Sequence, residues 1–349
     1  PSNLNSFATT LRGIWSNTYW QATQRYLDAV IDARKRKHLY ADCPPASAQK
    51  VPPAKLPDLW RAPQAATLRA IAVNHLGRDE KAFDAYMRTT NAKVLQCDHT
   101  FRSGQAMLFS NRGRPFRSVF NCFNEFGQLV SSVFTFNEAQ NTIESALGSL
   151  ARRAPNVKII YIDNCCSWRS VFNKYWPDAV VKLDPWHWLS RFDDVLPKER
   201  GSLERKLANK ALSDALFEDR APLEGRRRTA ADRYIPRPTE LLHRFAKLRE
   251  HLEKTFAWAR RPEFAKRWAQ QMGHIEKNCL SDDLNTSIVT RRDNFVRCVR
   301  GTNLCENYHK RCRRCICPHG SMSTAMGNVL FKAFSYRNNV RAAVAAKLC

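Results

Sequence analysis

The run Val157-Lys158-Ile159-Ile160-Tyr161-Ile162-Asp163 puts five apolar side chains into six positions ahead of a carboxylate. A short apolar stretch that follows Pro155 is a buried strand rather than a helix, and its last residue emerges at the sheet edge. The run Val94-Leu95-Gln96-Cys97-Asp98 reads the same way. After the first of these strands, 118–123 and 129–136 flank the turn Asn124-Glu125-Phe126-Gly127, which predicts an antiparallel meander. A helix follows from 137 or 138 to 153, with Ile143, Ala146, Leu147 and Leu150 on one face. Beyond 157–163 come a helix over 167–175 ended by Pro177, a strand over 179–183 and a helix over 186–192. The order β-β-β-α-β-α-β-α predicts an α/β mixed sheet flanked by helices, in which three antiparallel strands lead into parallel crossover units.

The flanks differ in character. Residues 1–90 read as a helical lead-in, with helices at 6–37, 65–76 and 80–87 around a connector in which Pro44, Pro45, Pro52, Pro53, Pro57 and Pro63 prevent regular helix. The first part of the core spans 91–192. Residues 193–299 contain no convincing strand and carry charged helical patterns at 203–219 and 239–260, so they read as an all-helical insertion. Residues 300–349 supply closing helices, one of them over 326–334. The chain starts at Pro1 rather than Met, which points to a segment of a longer protein.

With 349 residues and 44% hydrophobic content the chain can bury a substantial core. Its formal charge of +25 favours a polyanionic partner, and nucleic acid over membrane, because no apolar stretch is long enough to span a bilayer. Twelve scattered cysteines suit reduced core thiols better than a disulfide framework.

Three acids stand out. Asp98 and Asp163 end apolar strands, and Glu306 follows Thr302 and Asn303, either of which can cap a helix carrying the glutamate in its first turns. Mg²⁺ takes hard oxygen ligands and keeps several waters, so phosphodiester chemistry needs a few carboxylates and open positions. Gathered without metal, these acids would repel one another and raise at least one pKa. The expected cofactor is therefore a pair of Mg²⁺ or Mn²⁺ ions.

The strand order, the acids and the insertion together resemble the ribonuclease H-like catalytic core of DDE transposases, closest to Mutator-like and related eukaryotic transposases with a helical insertion. The resemblance covers about 93–334. It rests on Cys97-Asp98-His99-Thr100-Phe101, on Tyr161-Ile162-Asp163-Asn164-Cys165-Cys166-Ser167-Trp168-Arg169, on Leu183-Asp184-Pro185-Trp186-His187 and on Gly301-Thr302-Asn303-Leu304-Cys305-Glu306. It implies Asp98, Asp163 and Glu306 as catalytic metal ligands, with Asp98 and Asp163 sharing the principal metals and Glu306 completing the second site. Asp184 to His187 looks like the family's signature of Cys or Asp, two residues, then His. Asp184 is read there as structural support, and His187 as a brace or a positioner of the scissile phosphate. The implied activity is hydrolysis at a transposon end followed by attack of the freed 3′-hydroxyl on target DNA. The implied partners are transposon-end and target DNA and a possible second copy of the chain on DNA; the implied compartment is the nucleus of a eukaryotic host. No convincing zinc-finger or helix-turn-helix domain precedes the core, which departs from the family pattern: either it was removed with the missing start or this copy has lost it. The alternatives are a domesticated DNA-binding protein without turnover and a ribonuclease H-like nuclease that cleaves without joining.

Other signals carry less. Asp282, Asp283 and Asp293 are poorer substitutes for Glu306. Cys312, Cys315, Cys317 and His319 crowd four candidate zinc ligands into eight residues, whereas zinc sites usually pair two separated halves, so a basic helix end followed by a turn is preferred. Cys165 and Cys166 read as packing residues rather than ligands of a hard metal. The basic runs Arg226-Arg227-Arg228, Arg291-Arg292 and Lys310-Arg311 with Arg313-Arg314 are candidate phosphate contacts. Trp258 and Trp268, ten residues apart, would share a helix face, with core packing as their default role.

Overall fold

The computed structural model describes residues 74, 77–108, 113–137, 139–199, 201–219, 233–282, 288–290, 296–298, 300–316 and 322–346. The expected helices at 6–37 and over most of 65–76, the Pro-rich connector, Arg226 to Arg228, Asp283, Arg291, Arg292, Asp293, Cys317 and His319 lie outside them. The chain divides into two compact units, 1–78 with 319–321 and 79–318 with 322–349. The second holds the sheet.

Five strands form that sheet: β1 (Val94–Thr100), β3 (Ser118–Phe123), β4 (Leu129–Thr135), β5 (Ile159–Ile162) and β6 (Val180–Leu183). Their order is β4-β3-β1-β5-β6. β3 runs antiparallel to β1 and β4, whereas β1, β5 and β6 are mutually parallel. The chain is therefore an α/β protein with a mixed open sheet. The β3–β4 turn is built by Asn124, whose Oδ1 accepts from the Phe126 and Gln128 backbone N–H groups at 3.1 and 2.9 Å.

The two-residue period of a strand divides the core. From β3, Phe120 and Cys122 join the larger cluster, under α3 (Glu144–Arg153) and α4 (Cys165–Tyr175), with Leu147, Leu150, Trp168 and Phe172. Val119 and Phe123 pack instead with Cys305, Tyr308 and Cys312 of α9 (Asn303–Ile316) and with Phe331 of α10 (Thr324–Ala346). α10 runs well beyond the expected 326–334. Its buried Asn339 bonds both the N–H and the C=O of Leu129 on the edge strand, at 2.6 and 2.7 Å. Lys332 on the same helix reaches Glu80 and Asp84 of α1 (Glu80–Thr89).

The insertion is mainly helical: α6 (Leu203–Leu216), α7 (Pro238–Thr255) and α8 (Pro262–Glu276) follow the short α5 (Pro185–Ser190). Rings of Trp188, Phe192, Phe245, Phe264 and Trp268 meet edge-on or tilted at centroid separations of 5.1 to 6.4 Å, continuous with the larger core. Several sequence expectations need correction. The insertion also holds two small antiparallel pairs, β7 (Glu218–Asp219) with β8 (Arg233–Tyr234) and β9 (Ile288–Thr290) with β10 (Val296–Cys298), each too short to leave a periodic signal. The helix expected over 239–260 ends at Thr255, and Trp258 sits in the 3-10 turn Ala257–Arg260, so it does not share a helix with Trp268. Both indoles are buried. A parallel contact of β2 (Met107–Leu108) with β11 (Met322–Ser323) was likewise not expected. Among the described residues no helix is long and apolar enough to cross a membrane.

The short helix α2 (Phe101–Gln105) turns the chain sharply off β1. A Cβ on Gly104 would stand 2.8 Å from the Ser118 backbone, which cannot move without breaking the β3 ladder. Gly104→Ala should therefore lower stability by ~1–3 kcal/mol, as overpacking does, read as a lower urea midpoint with unchanged slope.

Candidate active site

Strand pairing brings two of the acids together. Gln96 pairs with Tyr161 between the parallel neighbours β1 and β5, and two residues farther along each chain stand Asp98 and Asp163. By side-chain alternation both leave on the face of Val94, Ile159 and Tyr161, away from the larger core. Asp163 directly follows β5 rather than ending it. Asp98 is the fifth of seven residues in β1 rather than its last, because His99 and Thr100 continue the ladder with β3.

α9 supplies the third acid across that face. Its sequence has the expected start, but the cap works differently. Thr302 precedes the helix and its carbonyl accepts the Glu306 N–H at 3.0 Å, while its hydroxyl turns away to donate to Asp184 Oδ2. One turn into α9, Glu306 and His309 project toward Asp98, and one ligand atom from each of the three lies within 4.8 Å of the others. Asp98, Asp163, Glu306 and His187 line a single cavity of about 460 Å³, together with His99, Gln140 and Trp168. The structure thus brings all three sequence-predicted acids to one place.

His309 was not anticipated. Ser132 Oγ donates to Asn121 Oδ1 at 2.8 Å, which turns the Asn121 amide nitrogen toward His309 Nε2 at 2.9 Å. With Nε2 accepting, the ring proton sits on Nδ1, 3.5 Å from Asp98 Oδ2. Burial, then the nearby His99, pulls the His309 pKa down to about 4, so the ring is neutral at pH 7. Neutral and proton-bearing on that side, His309 faces the Asp98 carboxyl across a gap longer than an ordinary hydrogen bond. The available signal was the i, i+3 spacing of Glu306 and His309, which puts both on one helix face.

Asp184 and His187 form the wall beside this cluster. Asp184 caps α5 through a 2.6 Å bond from the Trp186 N–H to Oδ1, and its Oδ2 accepts from both the backbone N–H of Thr302, at 2.8 Å, and the Thr302 hydroxyl. Gly301, at φ 64°, allows that approach, since a Cβ there would lie 3.0 Å from Asp184 Oδ1. Burial would raise the Asp184 pKa, but His187 and Thr302 outweigh it and hold the carboxyl below its usual range. His187 Nδ1 lies 3.1 Å from Asp184 Oδ2, an ion pair rather than an aligned hydrogen bond. Burial opposes the imidazolium, yet Asp184 lifts its pKa to about 9. The cavity therefore holds a fixed positive charge at neutral pH.

Glu306 also borders a larger groove of about 680 Å³ lined by Phe101, Trp186, Asn307, Lys310 and Arg313. Two of the four basic candidates on α9 thus flank the site. Arg311 instead turns to Asn338 Oδ1, 2.5 Å away, and Arg314 is exposed outside the groove lining. Asp282 is occupied elsewhere, 3.1 Å from Arg300 Nε and accepting the Ile235 N–H at 2.8 Å. Cys312 is buried in the α9 core.

The donor set fits a hard cation. Burial pushes the Asp98 carboxyl well above its usual range; His187 opposes this, while Glu306, Asp163 and Asp184 add to it. Asp98 gives up its proton readily in the unfolded chain but not in the fold, so it destabilises the fold progressively as pH rises above about 4. Asp98→Asn should therefore raise the melting stability of chelator-treated protein at pH 7 by ~1–2 kcal/mol, with the gain fading as pH falls toward about 4. Mg²⁺ or Mn²⁺ should raise the melting temperature of the native chain and leave the variant nearly unmoved. Comparison of the chain with protein-family models and with curated proteins finds no match.

Proposed function

We propose that the chain is the catalytic region of a DDE-type transposase with a ribonuclease H-like core, cleaving and joining DNA with two Mg²⁺ or Mn²⁺ ions. The observation that carries this reading is the convergence of Asp98, Asp163 and Glu306, from two parallel strands and a helix separated by an insertion, on one cavity wall. The strand order β4-β3-β1-β5-β6, antiparallel on one side and parallel on the other, supports this reading.

Asp98, Asp163 and Glu306 would hold the ions, which supply charge stabilisation at the phosphate and an activated attacking oxygen. The protein's own groups do the rest. Asp184 anchors the start of α9 so that Glu306 faces the aspartates and His309 stands 3.5 Å from Asp98. The His187 imidazolium is placed to attract a phosphate oxygen. In the adjoining groove, Lys310 and Arg313 provide phosphate contacts, and the exposed rings of Phe101 and Trp186 offer stacking surface for unpaired bases near a cleaved end. A formal charge of +25 suits this polyanionic substrate.

The test is incubation of purified protein with supercoiled plasmid and branched or blunt DNA ends in Mg²⁺ or Mn²⁺. Cleavage followed by strand joining is expected, with losses of ~10³-fold or more in each of Asp98→Asn, Asp163→Asn and Glu306→Gln and no further loss on combining them, because the acids act as a unit. Cleavage without joining would leave a nuclease. Salt-sensitive binding with no cleavage would leave a DNA-binding protein without turnover.

A further inference from the structure

On the far side of Asp163 lies a second cluster of different chemistry. Cys165 and Cys166 open α4, His274 sits in the last turn of α8, and Cys279 follows that helix's end. The two halves are 108 residues apart between Cys166 and His274, the separation into halves that zinc sites favour. The loop bearing Cys279 is built rather than loose. Asn278 takes a left-handed conformation at φ 54°, and buried Lys182 bonds its carbonyl and side-chain oxygens at 2.7 and 3.1 Å. Cys279 itself accepts the Leu183 N–H and donates its own N–H to His274 O, at 2.8 and 2.9 Å. Cys279 is thereby registered to β6.

Three of the six separations among the ligand atoms already have the lengths of tetrahedral edges. Cys165 Sγ to Cys166 Sγ is 3.8 Å, Cys166 Sγ to Cys279 Sγ is 3.8 Å and Cys166 Sγ to His274 Nδ1 is 3.5 Å. All four atoms fall within 4.8 Å of one another. Zinc bonds of ~2.3 Å to sulfur and ~2.0–2.1 Å to nitrogen, at tetrahedral angles, require S–S edges of about 3.8 Å and S–N edges of about 3.5 Å. We propose that Cys165, Cys166, His274 and Cys279 bind one Zn²⁺ as a structural site that staples the start of α4 to the end of the helical insertion.

Electrostatics support ligation. The hydrogen bond between Cys165 and Cys279 draws the Cys279 thiol down, helped by His274, Cys166 and Arg169 against burial, and with burial pushes the Cys165 thiol up, so one sulfur of the pair is poised as a thiolate. Arg169 Nη2 donates to its sulfur at 3.5 Å. Cys165 and Cys279 are buried and His274 is half-buried, while Cys166 is exposed and gives the ion a way in. Four protein ligands close the shell, which makes the site structural rather than catalytic, and three sulfurs select a soft metal over Mg²⁺. Arg191 joins the two centres: Nη1 contacts His274 Nε2 at 3.0 Å and Nη2 donates to the Asp163 carbonyl. With Nδ1 on zinc the ring proton moves to Nε2, so Arg191 gives up the histidine and keeps Asp163. Binding releases the protons still held by the other two thiols to solvent.

The test is elemental analysis of the full chain purified under reducing conditions without chelator, and cobalt substitution of the apoprotein. One zinc per chain that survives dialysis against excess Mg²⁺, and a cobalt form with tetrahedral d–d and thiolate charge-transfer bands, are expected. Cys166→Ser and His274→Ala should each abolish retention, whereas Asp98→Asn should keep the zinc, which separates this site from the acidic one. Reduced wild-type protein that binds neither zinc nor cobalt, or zinc that persists in both ligand variants, would overturn the proposal. Neither readout depends on DNA cleavage, so failure of the enzymatic reading leaves this result unchanged.

Discussion

The buried carboxylate of Asp184 is the joint on which the arrangement depends. It stands where β6 hands over to α5, and it receives the first residue before α9, so one side chain sets the distance between the sheet and the helix that carries Glu306 and His309. An unpaired buried carboxylate would cost several kcal/mol. Here the cost is offset by the Trp186 N–H, two donors from Thr302 and the His187 imidazolium. The sharp approach needs a residue without a side chain in a left-handed conformation, and Gly301 is that residue.

Asp98 is the counterpart with the opposite balance. Both aspartates are buried, but Asp184 is drawn below the usual carboxylate range and Asp98 is pushed above it. The difference lies in their donors. Asp184 is surrounded by N–H and O–H groups from its own fold, whereas Asp98 faces Glu306 and Asp163, with only His309 turned toward it and His187 acting from farther away. A fold that places a well-bonded acid beside a poorly bonded one has a rigid wall and a poised ligand. That division of labour suits a cation better than an ordinary core.

Much of this was legible in the chain. The apolar runs that end near Asp98 and Asp163 mark the two central strands, and the meander and crossovers fix the sheet type. What escaped detection was non-local. His309 acquires its role only through Asn121 and Ser132 on two other strands. Cys165 and Cys166 read as packing residues because their partners lie beyond most of the insertion, and no spacing rule joins them before the fold does. The crowded cysteines at 312–317 drew attention by proximity, yet Cys312 faces the core beside Tyr308. Short pairings such as β2 with β11 are set by tertiary contact, since two residues carry no period.

The most direct test of the gathered acids is anomalous diffraction from crystals soaked in Mn²⁺, which locates the ion without any assumption about substrate. Peaks coordinated by the carboxylates of Asp98, Asp163 and Glu306, and lost in crystals of Asp98→Asn, are expected. Saturating Mn²⁺ with no peak in that cavity, or with peaks only at surface acids, would contradict the metal-centred reading of this protein.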